Sequence, residues 1–328
     1  MKPTKLLMHL AIVICIVFPA HIWGKELSES IDSLKEAAEQ GDAEAQYELG
    51  QNYYLGYGVA KDLTLARKWF RMGAEQGHPT AQMSLGLFYR YGMGVTQDYS
   101  EALKWYHMAA AQGNRMAQYE LGEMYDIGQG VTEDDVEAVK WYRMAAEQGE
   151  PNAQLKLGLM YINGHGVKKD FSKGKKWLRL AAEQGHTDAQ YALGIYDSGE
   201  SVKWLRKAAE QGHVTSQLLL GNIYRVGAGV DQDYSEAVKW LSMAAERSYP
   251  NAQTNLGIIY SNGEGAIQDY VQAYMWFDIS VTLSEGESRD NVLKMRESTA
   301  DKMTPEQIVK AKLLAKEWFE KHKKVETK

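Results

Sequence analysis

The chain has 328 residues, of which 45% are hydrophobic, and its 43 acidic and 37 basic side chains give a formal charge of −6. The first 24 residues hold two of the lysines and no acid, so the remaining 35 cations and 43 acids leave −8 on the rest of the chain. This acidic balance argues against nucleic acid and against an anionic membrane surface as partners, because both are bound by clustered Lys and Arg. The length fits either two ordinary domains or one elongated array.

The first predicted element is a secretory signal peptide at residues 1–24. Lys2 and Lys5 precede an apolar stretch from about Leu6 to Ala20, which is too short to span a bilayer comfortably. We expect cleavage near Gly24 and a periplasmic or secreted protein, with an uncleaved N-terminal anchor as the alternative. Because Cys15 lies in this stretch, the mature chain has no thiol nucleophile and no disulfide, and apolar packing must hold it together.

The rest of the chain repeats, mostly with a period of 36 residues. A glutamine within a dipeptide like Ala-Gln recurs at intervals of 36, 36, 36, 36, 27 and 36 residues, at Gln46, Gln82, Gln118, Gln154, Gln190, Gln217 and Gln253. Seven of the nine tryptophans recur in the same way, at Trp69, Trp105, Trp141, Trp177, Trp204, Trp240 and Trp276. A fixed period of about 20 to 50 residues indicates a solenoid, so we predict one array.

Each unit is predicted to form two helices joined by a glycine-rich turn. Apolar residues lie four positions apart on one face of the first helix, and the second helix carries a wider apolar stripe. The second helix begins with Asp followed three residues later by Glu, as in Asp98 and Glu101, which predicts a capping box, and it ends at a glycine such as Gly113. A glycine after leucine in each first helix, such as Gly50 and Gly122, predicts close approach of the partner helix's backbone, with the tryptophan filling space nearby.

These signals divide the mature chain into three parts. We predict an N-terminal capping helix at 25–42, a solenoid at 43–283 with units that start near 43, 79, 115, 151, 187, 214 and 250, and capping helices at 284–328. Terminal caps keep the open apolar ends of an array out of water. In the last part, Thr304 precedes Pro305 and lies three residues before Gln307, which predicts a helix start with Thr304 as N-cap.

The fifth unit is nine residues shorter than the others, since only 27 residues separate Gln190 from Gln217. The stretch IYDSGESVKW places the loss in the glycine turn and in the helix ends beside it. The simpler interpretation is a deletion tolerated in a loop. The alternative is a local change in superhelix curvature that separates two binding segments.

The repeated pattern AQxxLGxxYxxGxGVxxDxxxAxxWxxxAAEQG resembles the Sel1-like repeat (SLR), a relative of the tetratricopeptide repeat, from about Ile31 to Leu283. The stretches AYMWFDIS, from Ala273 to Ser280, and MTPEQI, from Met303 to Ile308, resemble the C-terminal end of bacterial members. The resemblance implies an all-α fold, namely an α/α superhelical solenoid of about seven helix-turn-helix repeats plus terminal capping helices. A solenoid of this kind offers a long concave face to a protein partner.

If the tetratricopeptide geometry carries over, the first helix of each unit lines the concave face. Positions i, i+4 and i+7 of these helices share one side. The residues predicted to bind a partner are Tyr47, Gln51, Tyr54, Met83, Leu87, Arg90, Tyr119, Glu123, Asp126, Leu155, Leu159, Ile162, Leu218, Asn222 and Arg225. Their types change from unit to unit while the packing positions stay constant, which favours a specific partner surface over the alternative of an ordinary solvated face.

The remaining motifs predict no catalytic, cofactor or metal site. Three histidines follow an EQG turn at one repeated surface position, and neither HExxH nor a paired Cys/His spacing occurs. Ser172 and Lys175 have the SxxK spacing of serine acylating enzymes, yet Ser172 repeats the position of Ser100. Some cysteine-rich SLR proteins are linked to β-lactams, but their cysteine pairs are absent here. A β-lactam-binding or β-lactamase-like hydrolase, and a peptidoglycan or carbohydrate binder that stacks sugars on Tyr47 and Tyr119, are the alternatives.

We therefore expect an exported scaffold or adaptor that has no catalytic activity of its own. Its partner is expected to be a protein bound on the concave face, in envelope assembly or in contact with a host.

Overall fold

The computed structural model describes residues 31–265 and 267–323, so the predicted signal peptide lies outside the described residues. Across these two ranges all regular secondary structure is helical, which confirms the predicted all-α fold. The helices form two compact units, one that extends to Asp170 and one that starts at Phe171.

The described part of unit 1 contains a helical segment at residues 31–39 and the helices α1 (Ala43–Leu55), α2 (Leu63–Glu75), α3 (Pro79–Tyr91), α4 (Tyr99–Ala111), α5 (Arg115–Asp126), α6 (Asp135–Glu147) and α7 (Pro151–Asn163). Unit 2 contains α8 (Phe171–Glu183), α9 (Thr187–Tyr196), α10 (Ser201–Glu210), α11 (Val214–Val226), α12 (Tyr234–Ala245), α13 (Pro250–Asn262), α14 (Tyr270–Leu283), α15 (Gly286–Ala300) and α16 (Pro305–Lys323). Odd-numbered helices up to α13 are the first helices of the predicted repeats, and even-numbered helices up to α14 are the second helices.

The start of each second helix is held by an aspartate, and one half of the predicted capping box is wrong. The Asp98 carboxylate accepts the Ser100 and Glu101 amide hydrogens, which confirms it as the N-cap of α4. The Asp98 amide is not bound by Glu101, because it donates to the Tyr89 carbonyl at the end of α3, 2.9 Å away. Glu101 instead accepts the indole N–H of Trp105 at 3.2 Å. The same backbone bond recurs at Asp62, Asp134, Asp170, Asp233 and Asp269.

In six repeats, the glycine within the first helix makes room for one side chain of the second helix. A Cβ added at Gly122 would lie 2.5 Å from Cδ1 of Tyr142, and one at Gly86 would lie 2.5 Å from Cε1 of Tyr106. The close approach predicted at these glycines is therefore real, but the residue after the tryptophan makes the closest contact, not the helix backbone or the tryptophan. Phe70, Leu205, Leu241 and Phe277 take the same place in other repeats.

The repeated glutamines form a hydrogen-bonded ladder between consecutive repeats. Gln118 Nε2 donates to the Ala110 carbonyl of the preceding second helix at 3.2 Å, and Gln118 Oε1 accepts from Gln148 Nε2 at 2.7 Å. The first of these bonds recurs at Gln46, Gln82, Gln154, Gln190, Gln217 and Gln253. The period in the sequence thus corresponds to a buried polar contact that needs a partner in every repeat.

The short fifth repeat loses residues where the sequence predicts the loss. Its helices α9 and α10 have 10 residues each, whereas α11 and most other repeat helices have 13. The turn between them is reduced to residues 197–200 and is closed by Ser201 Oγ, which donates to the Gly194 carbonyl at 2.5 Å. The pairing of glutamate with tryptophan is retained, since the Trp204 indole N–H donates to Glu200 at 3.1 Å.

Helices outside the repeats cover both ends of the described chain. At the start, Ala38 of the 31–39 segment packs in a core with Leu49 and Trp69. At the other end, the ring of Trp318 on α16 lies 6.5 Å from that of Trp276. The predicted start of α16 is confirmed, because the Gln307 amide donates to Thr304 Oγ1 at 3.3 Å and the Thr304 amide donates to Gln307 Oε1 at 2.8 Å.

Candidate protein-binding surface

Most of the residues predicted to bind a partner are partly accessible. Tyr54 is exposed, and the half-buried residues are Tyr47, Gln51, Met83, Leu87, Tyr119, Glu123, Asp126, Leu155, Leu159, Asn222 and Arg225. Arg90, Ile162 and Leu218 are buried, so they offer a partner little surface. Leu218 belongs to the hydrophobic core of unit 2, and the guanidinium of Arg90 is surrounded by carboxylates and a glutamine.

Contacts between neighbouring repeats link several of these residues. In unit 1, the Tyr54 ring of α1 lies 5.8 Å from the Phe88 ring of α3. In unit 2, Asn222 accepts from Asn255 Nδ2 at 2.7 Å, and Arg225 lies 3.6 Å from Glu264. The first helices of successive repeats therefore lie side by side within each unit, and their side chains form shared surfaces.

The most distinctive feature of unit 1 is a cluster of five ionisable side chains from α3, α5 and α7. Arg90 of α3 forms ion pairs with Glu120 and, at 3.7 Å, with Glu123 of α5. Lys156 of α7 lies 3.1 Å from Glu123 and 3.2 Å from Asp126. We call Arg90, Glu120, Glu123, Asp126 and Lys156 the acid–base cluster. It joins the first helices of three consecutive repeats.

Burial and pairing act in opposite directions at the deep end of the cluster. The side chains of Arg90 and Glu120 are only 4% and 11% exposed. Burial raises the pKa of Glu120 above its ordinary value, although the Arg90 guanidinium beside it acts to lower that pKa. The hydroxyl of Tyr106 is buried near Arg90 and Glu120, and burial raises its pKa strongly.

The shallow end of the cluster is accessible and hydrogen-bonded to tyrosines. Glu123 and Asp126 are 23% and 22% exposed, and Lys156 is 34% exposed. The Tyr142 hydroxyl donates to Asp126 at 3.0 Å, and the rings of Tyr142 and Tyr119 are 5.9 Å apart. Three carboxylates thus face two cations in a partly desolvated site. An incoming donor or cation can compete there with Lys156 for Glu123 and Asp126.

Sequence reasoning found three members of this cluster and missed Glu120 and Lys156. These two residues directly follow the predicted Tyr119 and Leu155, and they occupy the same position in consecutive repeats. The sequence signal for them was an acidic residue in one repeat and a basic residue at the same position of the next repeat. Such a pattern favours a contact between neighbouring repeats. Helical periodicity alone assigns that position to a different side of the helix.

The SxxK motif lies at the start of α8. Ser172 is exposed on α8, and Lys175 forms an ion pair with Asp197 at 3.5 Å. Within the described ranges, no group of three or more His, Asp, Glu or Cys side chains is arranged to hold a metal ion.

Unit 2 has a groove of about 410 Å³ between α13, α14 and α15, lined in part by Lys294, Ser298 and Lys302. No helix in the described part of the chain has the length and apolar character needed to cross a membrane.

Comparison with known protein families divides the chain into the same seven repeats. The family model for the Sel1 repeat matches at residues 43–78, 79–114, 115–150, 151–186, 187–213, 214–249 and 250–283. A Sel1 repeat protein from Oxalobacter formigenes is 34% identical, with a TM-score of 0.64, over 83% of this chain and 81% of that chain. The protein c5321, a protective antigen of uropathogenic Escherichia coli strains with an SLR fold, is 32% identical over 89% of this chain and 79% of its own, with a TM-score of 0.45.

A further similarity is confined to a short segment. The secretory immunoglobulin A-binding protein EsiB of Escherichia coli O6:H1 is 50% identical over 42 residues, which are 13% of this chain and 9% of that protein. The match therefore spans less than a tenth of that relative's length. Sel1 repeat proteins generally mediate protein–protein interactions, and their solenoid is typically a scaffold without catalytic activity. With seven matched repeats, the chain belongs to the Sel1 repeat family.

Proposed function

We propose that this protein is an exported scaffold that binds a partner protein on the first-helix surface of repeats 1 to 4, across the acid–base cluster. The observation that carries the proposal is the cluster itself, which concentrates partly buried charge on a surface whose other residues differ from repeat to repeat. Charged and hydrogen-bonded groups of this kind give an interface its specificity, because a wrong partner leaves them unpaired.

The composition of this surface suits a protein better than a small ligand. Half-buried Leu87, Tyr119 and Leu155 lie on the same three helices as the charged groups. Protein interfaces typically combine an apolar centre, aromatic anchors and a polar rim. We assign Tyr119 to the aromatic anchor, beside the charges of Glu123 and Asp126.

We further propose that the protein acts outside the cytoplasm. The support is the N-terminal pattern of Lys2, Lys5 and an apolar stretch from about Leu6 to Ala20. Of the two settings considered, host contact is favoured by the relative named for binding secretory immunoglobulin A. Envelope assembly is the other setting.

Site-specific photo-crosslinking in cells tests the binding surface. A photoreactive phenylalanine analogue replaces Leu87, Tyr119 or Leu155 in separate variants of the full chain, and matched controls carry it at the exposed Lys104 or Lys140 of the second helices. We expect the three first-helix positions to give a product with one common protein and the controls to give none. Capture of that protein mainly through Lys104 or Lys140 would place the binding surface elsewhere.

A reporter fusion tests export separately. Residues 1–30 are joined to alkaline phosphatase, which is active only after export from a bacterial cytoplasm. We expect activity in the fusion and its loss when Val13→Arg places a charge in the apolar stretch. Equal activity in both fusions, or none in either, would contradict the proposed signal.

A further inference from the structure

Unit 1 carries a row of exposed apolar side chains at the ends of its first helices. Leu55, Tyr91 and Ile127 are 61%, 57% and 52% exposed. Each directly precedes a glycine in the left-handed conformation, namely Gly56, Gly92 or Gly128. The chain turns away from the helix there, so no further helical turn covers the side chain. We call Leu55, Tyr91 and Ile127 the apolar edge.

The fold itself does not require apolar residues at this position. Repeat 4 has the exposed Asn163 there, and repeat 7 has the exposed Asn262, in helices that end at the same kind of glycine. Contiguous exposed apolar side chains are uncommon on soluble proteins and mark interaction sites. The apolar edge is therefore not a requirement of the fold, although repeat 6 also has an exposed apolar residue, Val226, at this position.

Side-chain contacts connect the ends of the helices that carry the apolar edge. The Tyr54 and Phe88 rings connect the ends of α1 and α3. Arg90 connects α3 to the next turn, because its Nε donates to Gln129 Oε1 at 3.0 Å. The Arg90 guanidinium also lies 5.4 Å from the centre of the Tyr91 ring, so it covers one face of that ring and leaves the other accessible.

The surroundings of the apolar edge are acidic. Segments 54–62, 90–98 and 126–134, which contain the edge and the turns beside it, hold five carboxylates and two cations, a net charge of −3. One of the cations, Arg90, is buried and paired with Glu120, and one of the carboxylates, Asp126, is paired with Lys156. The other cation, Lys61, lies 5.7 Å from the Tyr54 ring. The equivalent segment of repeat 4, residues 162–170, carries two lysines and one aspartate, so the acidic region ends there.

We propose that the apolar edge binds a segment of a partner protein that carries apolar side chains interspersed with basic ones. This inference rests on the proposed function and specifies the chemistry of the partner. Opposite charge speeds encounter and sets the register, while the three apolar side chains supply the buried area. An anionic membrane and a second copy of this acidic edge are both repelled by a net charge of −3, which leaves a basic protein segment as the occupant.

Binding of model peptides to the full chain tests this inference. The probes are an amphipathic peptide of leucine and lysine, a twin with glutamate in place of lysine, and a twin with serine in place of leucine. Fluorescence anisotropy at low ionic strength is expected to show binding of the leucine–lysine peptide at least about tenfold tighter than either twin. The triple variant Leu55→Ser, Tyr91→Ser, Ile127→Ser is expected to weaken that binding by at least about tenfold.

Val226 provides the matched control, because it holds the same repeat position in unit 2 and is 58% exposed. We expect Val226→Ser to leave peptide binding unchanged. All four substituted side chains are exposed, and circular dichroism checks that both variants retain the helical content of the wild type. Equal binding of the glutamate twin, an equal loss in Val226→Ser, or no binding by the wild type would overturn the inference.

Two further measurements separate this inference from the other occupants and from the proposed function. Sedimentation of the wild type is expected to show a monomer, and a dimer that the triple variant abolishes would make a second copy the occupant. Crosslinks through Leu87 and Tyr119 that persist unchanged in the triple variant would preserve the proposed function and overturn the apolar edge. Crosslinks that are absent from the wild type as well would overturn the proposed function.

Discussion

Two opposing effects act on the buried charges of the acid–base cluster in unit 1: desolvation disfavours the charged forms, and ion pairing favours them. Arg90 and Glu120 are almost completely buried, and each is the other's main ionic partner. A buried pair of this kind adds little stability relative to an apolar pair, but removal of one partner is costly because it strands the other charge. The acid–base cluster is thus better suited to specificity than to stability.

The raised pKa of Glu120 predicts a pH dependence with a definite sign. Its pKa lies above the ordinary value of 4.5, so between these two values the folded chain holds a proton that the unfolded chain has released. We expect the wild type to lose stability relative to Glu120→Gln as the pH rises from about 4.5, with no change in the difference below that. Urea unfolding of both proteins across this pH range measures the difference. A difference that stays constant or grows in favour of the wild type with rising pH would contradict the prediction.

The contact between Gly122 and Tyr142 predicts a large effect from one methyl group. In Gly122→Ala the new Cβ would lie 2.5 Å from the Tyr142 ring, which is fully buried and cannot move aside freely. We expect a loss of about 1 to 3 kcal/mol in the free energy of unfolding, from overpacking. Gly199→Ala is the matched control, since the nearest atom to its Cβ would be 3.9 Å away. A comparable loss in both variants, measured by urea unfolding, would refute the steric explanation.

At the scale of elements, the glutamine ladder couples each repeat to the next. Four of its glutamines, at positions 46, 82, 118 and 190, each donate to a backbone carbonyl and accept from a second glutamine. The ladder is incomplete at Gln217 and Gln253, whose Oε1 atoms are buried without a partner among the described residues. The reason lies in the sequence, because Arg247 and Leu283 stand where the donating glutamine would be.

Repair of the ladder is expected to stabilise unit 2 locally. Arg247→Gln would supply a donor for Gln217 Oε1 and could still donate to the Gly212 carbonyl, as Gln112 donates both to Gln82 and to Gly77. We expect a gain of about 1 kcal/mol, seen as slower amide hydrogen exchange in α11 and α12. The converse variant, Gln112→Leu, leaves Gln82 unsatisfied and is expected to speed exchange in α3 and α4. Unchanged exchange in both variants would show that the ladder contributes nothing.

At the scale of the whole molecule, an array must close its ends without a further repeat. Helix α16 does this in unit 2, where Ala311, Ala315 and Trp318 join the core that contains Trp276. The bond from the Trp318 indole N–H to Glu246, at 3.3 Å, ties the same helix to the end of α12. The charged residues of α16 remain on its outer side, as a capping helix requires.

The closing role of α16 predicts a sharp contrast between two positions on that helix. Trp318→Ala removes a buried ring and is expected to cost about 3 to 5 kcal/mol. Leu313→Ala, on the side that is 53% exposed, is expected to change stability by less than about 0.5 kcal/mol. Thermal unfolding followed by circular dichroism, with a dye that binds exposed apolar surface, measures both effects. Equal effects at the two positions would contradict the assignment of α16 as a cap.

The sequence alone determined the helical repeats, because their signals are local. The N-cap Asp98 and the Thr304 helix start depend on residues close to one another in the chain, and the 36-residue period marked by Gln118 and Gln154 repeats these local signals. The loss of nine residues in the fifth repeat could also be predicted from the sequence. Local signals do not specify which neighbour a side chain meets, so the proposed partner-binding positions could be named only by helical periodicity.

Only the tertiary structure decided which charges are buried and which apolar side chains are exposed. Arg90 shares its repeat position with Tyr54 and Asp126, yet it alone of the three is buried, because Glu120 and Gln129 of the next repeat surround it. Tyr91, one residue later, remains exposed. Burial is set by how consecutive repeats pack against each other, and that packing joins residues about 30 or more positions apart, beyond the range of any helical period.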